Sequence, residues 1–135
     1  MNLLIGIDDT DNLESRGTGF RARHLANWLA ENQLAVPYGI TRHQLLVDPQ
    51  ILYTSHNSSA CLSVESDSAF LVWDACREYL LRESAPGSDV GLCLAPLEFV
   101  TEEVMTFARR AKLEVLTMQE AEHTAAISGI RLAGL

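Results

Sequence analysis

The chain predicts an α+β fold, a four-stranded antiparallel sheet under two helices with two additional C-terminal helices. Three observations predict it. Apolar runs follow the order strand, helix, strand, strand, helix, strand; the first run has the uninterrupted pattern of a buried strand; and the tail carries two helix-capping signals in succession. With 135 residues, 47% of them hydrophobic and 21% charged, residues 1–135 read as one globular domain with a single core.

Asn2 to Ile7 is an apolar run closing on Asp8, the pattern of a central strand stopped by a turn. A polar loop ending Gly17-Thr18-Gly19 leads into a helix over Phe20 to Asn32, where Leu25, Trp28 and Leu29 recur at helical spacing. Pro37 to Val47 and Ala60 to Glu65 read as the second and third strands, the latter alternating Leu62 and Val64 against Ser63 and Glu65. Ala69, Val72, Trp73, Cys76 and Leu80 line one face of a second helix, capped by Asp67 or Ser68 and ended by Pro86-Gly87. Val90 to Ala95 supplies the fourth strand. Thr101 before Glu102-Glu103, and Thr117-Met118-Gln119-Glu120 as a capping box, open the two tail helices. The order βαββαβ is that of the split βαβ, or ferredoxin-like, unit. The Trp and Met residues at helical spacings are expected in the core, and His24 and His123 on the surface.

In such a sheet the third strand runs antiparallel beside the first, so Asp8 to Asp11 should face Ser55 to Ser59. The second strand's end and the first helix's start emerge at the same edge. Three carboxylates within four residues, Asp8, Asp9 and Asp11, suit a hard divalent cation such as Mg²⁺, which takes oxygen ligands and bridges to phosphates. The same aspartates could instead form Asx turns and helix caps. Gly17, Thr18 and Gly19 can offer backbone N–H groups to a phosphate at a helix start, with Thr10 and Thr18 adding hydroxyls; the alternative is a plain turn. Ser55, His56, Asn57, Ser58 and Ser59 supply neutral donors and acceptors, or form a solvated hairpin loop. Arg42, in Arg42-His43-Gln44, or Arg16 would place a cation where phosphate charge develops, with Asp9 near enough to act as a base.

Together, Ile5-Gly6-Ile7-Asp8-Asp9-Thr10-Asp11 after the first strand, the Gly17-Thr18-Gly19 helix entrance, the Thr41-Arg42-His43 segment and the stretch from Pro49 to Ala60 resemble a known family. They look like the N-terminal kinase-like domain of archaeal agmatinylcytidine synthetase, the ATP-dependent enzyme that attaches agmatine to the wobble cytidine of an isoleucine tRNA. The resemblance spans most of the first 65 residues. It implies an Mg²⁺ and ATP-phosphate site at Asp8, Asp9, Thr10 and Asp11, completed by Asn57 and its neighbours. The family's large enzymes continue into a glycine-rich helix entrance, an OB-fold and a zinc ribbon, for which this chain has no room; Ile130 to Leu135 looks like the approach to that segment.

The expected function is therefore Mg²⁺-dependent ATP binding with phosphoryl or nucleotidyl transfer. Two alternatives stand beside it: a non-catalytic nucleotide-binding or regulatory module, and a small phosphohydrolase using Asp9-Thr10-Asp11 as a D-x-D loop. A net charge of −8 argues against a free-standing nucleic-acid binder, so tRNA or another protein is a partner only through local contacts. Nine Arg against the lone Lys112 suit fixed bidentate contacts. The chain opens on no charged-then-apolar leader and holds no apolar run of the ~20 residues needed to span a bilayer, so a cytoplasmic location without membrane contact is expected. Cys61, Cys76 and Cys93 lack a C-x-x-C pair and read as reduced core thiols. An exposed fourth strand at the sheet edge points to a homodimer unless the tail helices cover it.

Overall fold

The first strand, β1 (Asn2–Asp8), alternates buried Leu3, Ile5 and Ile7 with half-buried neighbours, because successive side chains of a strand point to opposite faces. It lies at the centre of an antiparallel five-stranded sheet of order β2-β3-β1-β4-β5. The computed structural model describes residues 1–10, 18–50 and 58–135. Within them the elements are α1 (Thr18–Glu31), β2 (Val36–Gln44), β3 (Ser58–Glu65), α2 (Ala69–Glu83), β4 (Gly91–Pro96), α3 (Glu102–Arg110), α4 (Met118–Ser128) and β5 (Arg131–Gly134), with a 3₁₀ turn at Leu97–Phe99. The first four strands have the ferredoxin-like arrangement, β1 flanked by β3 and β4 and β2 outside β3, as the βαββαβ order predicts.

One face of the sheet is closed by α1 and α2. Leu25 and Leu29 of α1 and Val72, Trp73, Cys76 and Leu80 of α2 pack onto Leu3, Ile5, Leu62, Val64 and Leu92. Each fully buried Leu or Ile stabilises the fold by about 1.5–3 kcal/mol relative to exposure. Ser68 caps α2, its hydroxyl accepting from the Leu71 N–H at 3.2 Å. The Cys76 thiol is pushed up to about 12 by burial, and all three cysteines are free.

The tail departs from expectation in one element. α3 and α4 begin after Thr101 and Thr117, and the capping box is present, with Thr117 N–H donating to the Glu120 carboxylate at 2.7 Å. Gly129 then ends α4 at φ 71°, the left-handed position where a Cβ is strained. Arg131–Gly134, where no strand was expected, forms β5 and pairs antiparallel with β4, with the Arg131 guanidinium 4.3 Å from the Trp73 ring centroid. The edge of β4 is therefore occupied by the chain itself, and the reason for expecting a homodimer there falls away. Met105 and Met118, expected in the core, are exposed, since α3 buries no residue and α4 only Ala125. His24 and His123 are exposed as expected. No helix among the described residues is long and apolar enough to cross a membrane.

Candidate functional site

The acidic stretch starts where β1 leaves the centre of the sheet. Strand register places Asp8 opposite Ser59 of β3 on one side and Gly91 of β4 on the other, the convergence that the topology predicted for the third strand. The Asp8 carboxyl is pushed above the usual carboxylate range by burial, partly offset by the Gly91 N–H that donates to it. Asp9 follows with φ 50°, left-handed backbone that a non-glycine residue holds only when its surroundings fix it. The fixing groups lie on both sides of Thr10. Its carbonyl accepts from the Ala85 N–H at 3.0 Å, and its buried hydroxyl donates to the Thr18 hydroxyl at 3.3 Å. The turn between α2 and β4 and the first turn of α1 thus hold the start of the loop.

Asp8 and Asp9 open into a cavity of about 610 Å³, a volume suited to a small ligand. Its wall continues through Asp89, Gly91, Glu122, Met118 and Leu132. Sequence reading missed Asp89, Gly91 and Glu122. Asp89 falls two residues before β4, so its place beside Asp8 follows from strand pairing that no local motif announces. Among the described residues no three His, Cys, Asp or Glu side chains form a cluster able to hold an ion unaided. Paired carboxylate oxygens at a cavity mouth fit a cation that completes its shell with water and substrate phosphate, which is the habit of Mg²⁺.

The predicted phosphate side is built separately. Thr18 and Gly19 are the first two residues of α1 and are buried there. The Arg42 side chain lies against Gly19, whose missing Cβ leaves room for the guanidinium. Arg42 and Arg23 line a groove of about 480 Å³ between α1 and β2 whose described walls hold no carboxylate. Register puts Arg42 opposite Ala60, and Ala60 opposite Ile7, on the helix-covered face; Asp8, one residue on from Ile7, points to the other. The structure therefore brings Asp8 to Ser59 and, at one cavity, to Asp9, and brings Arg42 to Gly19, but does not bring Arg42 to Asp8. His43, opposite Ser59, shares the Asp8 face, its ring nitrogen 3.0 Å from the Thr41 hydroxyl. Ser58 and Ser59 belong to β3 rather than to the preceding loop. Asp11, Arg16, Gly17, Ser55, His56 and Asn57 lie outside the described residues. The D-x-D phosphohydrolase reading requires a doubly wound sheet, whereas every strand pairing among the described residues is antiparallel.

No protein-family model and no curated protein sequence matches the chain. Solved structures do. The chain superposes on apo TiaS, an agmatidine synthetase acting on an isoleucine tRNA, with a TM-score of 0.83 at 22% identity over 99% of its length. A complex of TiaS with its tRNA and ATP gives 0.84 at 22% identity, and one with the tRNA, AMPCPP and agmatine gives 0.81 at 21%. The fold is shared. The chain spans 32% of the length of each of those proteins.

Proposed function

We propose that this chain is a cytoplasmic Mg²⁺-dependent ATP-binding domain of the phosphoryl- or nucleotidyl-transfer type, akin to the kinase-like domain of the agmatidine synthetase. The observation that carries the reading is the half-buried Asp8 carboxylate at the end of the central strand, accepting from the Gly91 N–H at the mouth of a cavity it shares with Asp9. A partly desolvated carboxylate is stabilised by a cation, and ATP supplies the phosphate oxygens that complete the cation's shell. The arginine groove beside the start of α1 lies on the other face of the sheet and is a feature separate from this cavity. The likeness in fold to a protein solved with ATP and tRNA supports nucleotide as the first ligand and RNA as a partner. Asp11 and Asn57 complete the pocket in this proposal.

A binding module without turnover is the second reading, and the placement of Arg42 and Asp8 on opposite faces favours it. Calorimetry with ATP, with and without Mg²⁺, followed by product analysis in the presence of pooled tRNA, separates the two. Mg²⁺-dependent ATP binding, weakened at least about tenfold by Asp8→Asn, is expected. Release of ADP, AMP, phosphate or pyrophosphate above the Asp8→Asn level supports transfer. Binding without any of these products supports the module, and unchanged Mg²⁺-ATP affinity in Asp8→Asn removes the site.

A further inference from the structure

We propose that Gly91 is the positioning residue of the acidic site, setting the direction of the Asp8 carboxylate through its N–H and its lack of a side chain; this rests on the Mg²⁺-ATP reading above. Three observations meet at this residue. Register places it directly opposite Asp8 across the β1–β4 pair. Asp8 Oδ1 occupies the volume that a Cβ at position 91 would fill. The Gly91 N–H donates to the same carboxylate. Both residues line the cavity that Asp9 and Asp89 share.

Any residue but proline would keep the N–H, so the specific requirement is the missing Cβ. A methyl at 91 would meet the tip of a side chain rather than backbone, so the overlap is relieved by rotating Asp8 and the sheet stays in place. Rotation breaks the hydrogen bond and turns the carboxylate from the cavity.

The test measures ATP affinity of the full chain calorimetrically, with and without Mg²⁺. Gly91→Ala is expected to lower Mg²⁺-ATP affinity about 10- to 100-fold, the range of a lost supporting contact to a metal ligand. Mg²⁺-free ATP affinity should not change. In the Asp8→Asn background Gly91→Ala should cause no further loss, because the two act through one group. If Asp8→Asn lowers the affinity and Gly91→Ala does not, or if the two losses add in full, the positioning role is overturned while the site reading stands. If Asp8→Asn has no effect, both fall. Should Gly91→Ala fail to fold, adding Asp8→Ala removes the overlap and should restore folding; failure to restore it overturns the proposal.

Discussion

Asp8 is placed where its charge is costly to the metal-free fold. Burial raises its pKa from 3.8, so the folded protein binds this proton more tightly than the unfolded chain does. The stability this contributes is fully present below 3.8 and is lost as pH rises through the raised folded value. Asparagine keeps an acceptor for the Gly91 N–H and cannot ionise. In EDTA, Asp8→Asn should therefore raise the melting temperature at pH 7, and the difference from the parent should close as the pH is brought below 3.8. A lower melting temperature for the variant at pH 7 would show that the carboxylate is stabilised by a group other than a bound cation. Asp9 adds to the same picture, because its left-handed backbone is a conformation the neighbouring Thr10 contacts must hold.

Among the elements, β5 protects the sheet. It occupies the β4 edge, and Leu135 N–H continues the pairing by donating to the Val90 carbonyl at 2.9 Å. Deleting residues 131–135 exposes a row of unpaired backbone groups and should make apparent mass by light scattering rise with protein concentration, above the parent's. A truncated chain whose mass does not depart from the parent's would assign β5 no protective role. This strand was hidden from sequence reading because Arg131-Leu132-Ala133-Gly134 has neither length nor β-branched residues; it is a strand because the β4 edge is there to receive it. The elements with strong local signals were legible: the apolar run of β1, and the Thr117 and Glu120 capping box of α4. The site was legible to the same degree. Topology alone brought Ser59 to Asp8, whereas the separation of Arg42 from Asp8 depends on strand parity, which a shift of one residue reverses.

At the scale of the molecule, acidic and basic features are segregated around β1, with Asp8, Asp9, Asp89 and Glu122 about one cavity and Arg23 and Arg42 about another. Asp8 sits on the strand with a neighbour on each side and a core beneath it. Opening that strand means dismantling the sheet, so a ligand gripping Asp8 is linked to global unfolding. Such a ligand at a hundred times its dissociation constant stabilises the folded state by about 2.7 kcal/mol. For a domain of this length that is a rise of roughly 5–15 °C in melting temperature. Mg²⁺-ATP should produce it and Mg²⁺ alone should not. The heat needed to melt the protein thus becomes a readout of occupancy, and a panel of nucleotides and acceptor molecules can be sorted in a thermal scan before any reaction is known.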